Sequence, residues 1–182
     1  MNILSGWREQ YDRMIRSRDL LLEIARGSGH QVLGADQARD ALIHFYMDAY
    51  QLKDWIKNDP AAGITPAVIE GFVNSTVELR LCADLANGAK HFKLTSARTG
   101  DLQTRISSQS VTVRPGTVRA RATVGDDGRI TAAENLTSDE ALPAIYSWEA
   151  ASGGTTIDLV VLASEVVDAW TAWLQHPQQH LI

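Results

Sequence analysis

The sequence predicts an α+β fold: an N-terminal helical bundle of about three helices, an antiparallel β-sheet of hairpins, and a C-terminal helix. Three observations carry this. Apolar residues recur at three- and four-residue steps as far as about residue 90. Between Phe92 and Ala163 the period falls to two, with Gly/Asp and Gly-Gly turns between the runs. A final segment returns to helical spacing with Trp170 and Trp173 on one bulky face. At 182 residues the chain fits one compact unit, with 1–91 as the helical bundle and 92–182 as a β-rich region and C-terminal helix packed on it.

Residues 3–26 read as a first helix on the steps Leu4, Trp7, Tyr11, Met14 or Ile15, Leu21 or Leu22 and Ala25. Gly27, Ser28 and Gly29 should stop it, because glycine tolerates the left-handed cap. Asp36 is a plausible N-cap for a second helix running to about Asn58. Its stripe, Ala38, Leu42, Phe45, Ala49, Leu52 and Ile56, alternates four- and three-residue steps, the seam of a helix lying along another. Pro60 and Gly63 break the chain. Thr65-Pro66 opens a third helix, expected to run to about Lys90 through Val68 or Ile69, Phe72, Thr76, Leu79 and Ala83.

The strand signals follow. Val111 to Val113 and Val118 to Val124 alternate, and Gly125-Asp126-Asp127-Gly128 makes a hairpin turn before Arg129 to Thr131. A second hairpin pairs Ala144–Ala150 with Thr155–Leu162 around Ser152-Gly153-Gly154, and Glu134 to Pro143 reads as a polar loop. Ser164 should cap the last helix, whose inner face is Val166 or Val167, Trp170, Trp173 and Leu174.

Composition excludes several classes. The single Cys82 leaves no internal disulfide and suits a reducing compartment, and a cytoplasmic protein is expected. The longest strongly apolar run, Ile157 to Ala163, is too short to span a bilayer and is interrupted by Asp158, so no membrane partner is expected. No phosphate-binding glycine loop, dinucleotide motif, nucleophile elbow or zinc ribbon is present, and no cofactor is expected. The net charge of −5 is unevenly spread: from Ile130 onward there are seven acids and no Lys or Arg. That asymmetry suits attraction within the fold or between subunits, or a basic face left for an anion.

The groups able to do chemistry are densest at one end of the second and third helices. If the two turn near Ala62, residue i on one lies roughly level with residue 124 − i on the other. Arg39, Asp40 and His44 then gather at the same end as Arg80, Asp84, Asn87, Lys90 and His91. Asp40, His44, Asp84 and His91 also make a mixed N/O donor set, although no His-Glu-x-x-His motif is present and no metal is assigned. Plainer roles stand beside these: His44 as a surface partner of Asp40 and Asp48, and His91 meeting the negative end of the helix dipole. Likewise Lys53-Asp54-Trp55 reads most simply as a packed tryptophan with solvated neighbours.

The run Arg39-Asp40-Ala41-Leu42-Ile43-His44-Phe45-Tyr46 has the form Arg, four residues, His, one residue, Tyr. It resembles the motif of HEPN-family proteins, helical bundles that include metal-independent RNA endonucleases acting as toxins or antiphage effectors. The resemblance covers eight residues. It implies RNA as a partner, a cleft often formed by a homodimer, His44 in proton transfer, Arg39 on the phosphate, and Tyr46 supporting the cleft. An imidazole titrating near neutrality and a guanidinium matched to phosphate suit that chemistry. The alternative is a non-catalytic interaction or nucleic-acid-binding protein. Arg98, Arg105, Arg114, Arg119, Arg121 and Arg129 give a cationic strand region able to track phosphates, without the aromatic interleaving of single-strand binders.

Overall fold

A computed structural model describes residues 6–27, 34–91, 94–113, 120–124, 130–135 and 144–175. The architecture is α+β as expected: helices first, then antiparallel sheet, then a helix. Helix α1 spans Trp7–Arg26, α2 Ala35–Asn58, α3 Pro66–Ser75, α4 Val77–His91 and α5 Leu159–Gln175. Strands β1 (Arg105–Val113), β4 (Ala144–Ser152) and β5 (Thr155–Asp158) form an antiparallel sheet in the order β1-β4-β5. Strands β2 (Ala120–Val124) and β3 (Ile130–Asn135) pair as a separate antiparallel hairpin. Its expected turn at Gly125 to Gly128 lies outside the described residues, as do 136–143 of the polar loop and the tail from His176.

Helix α2 is the axis of the core. All six residues of its predicted stripe are fully buried, and α1, α3, α4 and α5 pack around it. Phe72 of α3 stacks on Trp173 at 4.8 Å between ring centroids and meets Trp170 edge-on at 5.4 Å. On β4 the inward residues Tyr146, Trp148 and Ala150 are buried, while Ser147 and Glu149 face solvent. The sheet therefore lays one face on the helices and leaves the other wet.

Several local expectations are corrected. The expected third helix is two helices: at Thr76 the backbone turns extended (φ −100, ψ 119), and the Thr76 hydroxyl donates back to the Phe72 carbonyl at 2.9 Å. A threonine competing for the backbone of its own turn favours such a break. Helix α2 is capped by Gly34, whose N–H donates to Gln37 Oε1 at 3.0 Å, and Asp36 lies inside the first turn. Helix α5 starts five residues before Ser164, because Asp158 Oδ1 accepts from the N–H of Val160 (2.8 Å) and Val161 (3.1 Å). The strand expected to reach Leu162 accordingly ends at Asp158.

The start of α1 is fixed by contact with the end of α2. Gly6 has φ +89, and a Cβ there would come 2.5 Å from Asp59 Oδ2, the atom that accepts the Trp7 N–H at 3.1 Å. Only glycine fits both the backbone and the space.

Candidate functional site

The nine residues singled out from the sequence occupy four different environments. Arg39 is exposed and pairs with Asp36 at 2.9 Å. His44 lies five residues along α2, hence about 140° around the helix from Arg39. Asp40 is exposed beside them. Tyr46 is buried in the core, and its hydroxyl donates to the Leu159 carbonyl of α5 at 2.7 Å. Burial, with lesser effects from Cys82, Asp158 and Glu165, holds its pKa well above the ordinary tyrosine value. Asp84 is fully buried and points to the loop after α4. Arg80 and Asn87 are half-buried, while Lys90 and His91 are exposed at the end of α4.

On α3 the equal-rise level holds: Lys53 of α2 meets Glu70 at 3.4 Å, within about one residue of it. Beyond the break at Thr76 it does not, since Cys82 of α4 donates to the Tyr46 carbonyl at 3.5 Å, four residues from the expected level. The angle around each helix was also missing. Among the described residues, no side-chain hydrogen bond or ion pair joins any two of the nine.

His44 instead opens onto a groove of about 470 Å³ between α1 and α2, shared with Arg13, Ser17, Met47, Asp48 and Gln51. The groove is internally paired. Asp48 accepts from Arg13 at 2.9 Å and from the Ser17 hydroxyl at 2.7 Å, and Arg13 also donates to Gln51 at 3.2 Å. The guanidinium that could hold a phosphate is thus already occupied by a carboxylate.

Asp84 and the loop after α4 form a buried polar strap that sequence reasoning missed. One Asp84 oxygen accepts the Arg98 N–H at 2.7 Å; the other accepts the Thr99 N–H at 2.9 Å and the Thr99 hydroxyl at 2.7 Å. A carboxylate satisfied by backbone donors in this way can be buried without a cation. Asp101 continues the strap by accepting from the N–H of Gln103 (2.8 Å) and of Gly153 (2.7 Å). The hydroxyls of Thr104 and Ser152 share a hydrogen bond at 2.7 Å. The loop is therefore tied to the β4–β5 turn. A signal existed in the run Thr95 to Thr104, dense in turn-forming Ser, Thr, Gly and Asp.

The strap places the Arg98 side chain over α3. Its guanidinium donates to Glu70 at 2.8 Å and Asn74 at 2.6 Å and lies 5.7 Å from the Tyr50 ring centroid. Glu70 also meets Lys53 and Lys57, and both lysines meet Asp54. Lys53 is buried, with only 7% of its side chain exposed, which corrects the reading of a solvated lysine beside Trp55. Burial pushes Glu70 upward, but the Arg98 hydrogen bond, the charges of Lys53 and Arg98 and the Lys57 hydrogen bond outweigh it and leave the pKa at about 2.

The sheet offers a different surface. β1 is an outer strand: among the described residues nothing pairs with it on the side away from β4. From Ile106 to Val113 it carries no charge and no proline, and Val111 is exposed. Its solvent face is small and polar, with Ser108 donating to Glu149 at 2.9 Å and Ser110 bonded to Ser147 at 2.6 Å.

Among the described residues no three of His, Cys, Asp and Glu come together to hold a metal ion, and no helix is long and apolar enough to cross a membrane. The chain matches no protein-family model, and neither a curated protein nor a solved structure is detectably similar to it.

Proposed function

We propose that the protein is a non-catalytic interaction protein that pairs with a second copy of itself along the outer edge of β1. The single observation behind this is the unguarded strand. Edges this long are commonly blunted by charge, proline or a bulge. β1 has a bulge only near its start, between Ile106 and Ser108, so Ser108 to Val113 continue as a regular, uncharged ribbon. Two such ribbons can meet antiparallel without opposing like charges. The engagement of Tyr46 and Asp84 in structural bonds supports the same reading, because it removes both from chemistry. A cytoplasmic setting belongs to the proposal and is supported by the free, buried thiol of Cys82.

Light scattering across a concentration series tests it. The wild type should run as a dimer, and Val111→Lys, which puts like charges on the paired edges, should run as a monomer. A wild type that stays monomeric throughout would sink the proposal.

A second reading, an RNA endonuclease of the HEPN kind acting through His44, draws on one observation: His44 is solvent-exposed in a groove that also holds an arginine. Expression of wild type and His44→Ala in a bacterium separates the two. Intact RNA in both favours the interaction protein; RNA cleavage lost only in the variant favours the nuclease.

A further inference from the structure

A cavity of about 560 Å³ opens between α2, α4 and the first residues of β1, and neither reading above uses it. Its body is apolar: Ile43 from α2, Leu85 from α4, Leu94, and Ile106 from β1. Gly88 contributes bare helix backbone, and the rim holds Leu102, a leucine half exposed to water. The volume falls within the roughly 300–1,000 Å³ of small-molecule sites.

The polar groups are confined to one rim, Gln103 to Arg105. The Arg105 guanidinium donates to the Gln103 carbonyl at 3.1 Å and makes no ion pair among the described residues, so donors remain free. The same rim is rigidly built. Asp101 holds the Gln103 N–H, Thr104 is bonded to Ser152, and Asp84 anchors the loop just before. A wall fixed in this way needs little ordering when a ligand enters.

We infer that this cavity binds a small amphipathic carboxylate, its hydrocarbon chain among Ile43, Leu85, Leu94 and Ile106 and its carboxylate on Arg105. Charge selects the ligand class: an apolar body answers a chain, and a single fork-shaped cation at the mouth answers a carboxylate. The cavity takes only Arg105 and Ile106 from β1, outside the Ser108–Val113 ribbon, so the inference stands or falls independently of the edge pairing.

Calorimetric titration of the protein with octanoate and with 1-octanol tests the inference. Octanoate should saturate one site below about 1 mM, with 1-octanol weaker. Arg105→Gln should weaken octanoate by about tenfold and leave 1-octanol unchanged. Gly88→Leu should abolish both. A Cβ at Gly88 would meet only Leu94, at 3.9 Å, and leucine suits a helix interior, so this variant fills the cavity without endangering the fold. No saturable octanoate binding in the wild type would overturn the inference. So would binding that survives Gly88→Leu, or equal loss of acid and alcohol in Arg105→Gln.

Discussion

Replacing Glu70 with glutamine probes the charged cluster that clamps α3 to α2 and to the strap. The carboxylate is held at a pKa of about 2 against an ordinary value of 4.5. At about 1.36 kcal/mol per pKa unit, that difference has a ceiling of roughly 3 kcal/mol. Glu70 is nearly a third exposed, with 31% of its side chain accessible, so solvent screening reduces the expected contribution to about 1–2 kcal/mol. The folded pKa is depressed, so this stability is fully present above about pH 5 and disappears as the pH falls toward 2. Thermal unfolding by circular dichroism at pH 7 should show Glu70→Gln melting lower by about 2–8 °C, at about 2–4 °C per kcal/mol for a chain of this size. At pH 3 the gap between wild type and variant should narrow. A double-mutant cycle with Arg98→Met should give a coupling of about 1 kcal/mol at pH 7. The reasoning is refuted if Glu70→Gln melts with wild type at pH 7, or if the gap does not change between pH 6 and 3.

Three further expectations concern buried groups. Asp84→Ala strands two backbone N–H groups and a hydroxyl, and urea unfolding should show a loss of about 3 kcal/mol; a loss below about 1 kcal/mol would show that the loop is held by other contacts. Tyr46→Phe removes the hydroxyl from the Leu159 carbonyl and should cost about 1–2 kcal/mol in the same assay, with no cost counting against a buried structural bond. Burial raises the Cys82 thiol pKa far above its ordinary value, so a thiol reagent at pH 8 should label it only as fast as the protein unfolds. Rapid labelling of folded protein would contradict that placement.

The fold was legible where periodicity is strong. The α2 stripe was found residue for residue, since a seam of alternating steps leaves one solution for a central helix. The two tryptophans of α5 were likewise placed on its inner face. Boundaries were less legible, because a cap depends on which side chain reaches which N–H: Gln37 and Asp158 do so here, where Asp36 and Ser164 looked suitable. The candidate site showed the limit most clearly. Spacing put Asp40 and Asp84 near one level, but packing rotated Asp84 inward to a loop 14 and 15 residues downstream. No periodic signal encodes such a partner. The burial of Lys53 was hidden for the same reason, since Glu70, itself held by Arg98, reaches it from a later helix.

The Tyr11 and Thr171 hydroxyls bond at 2.8 Å across 160 residues, and α5 supplies Leu159, Leu162, Val166 and Trp170 to the core that α1 and α2 also fill. A ribosome emitting this polypeptide therefore exposes the oily flank of its early helices until α5, Leu159–Gln175, has followed them. Such a nascent chain stays sticky until α5 emerges and closes the core, which makes it a natural client for holding chaperones.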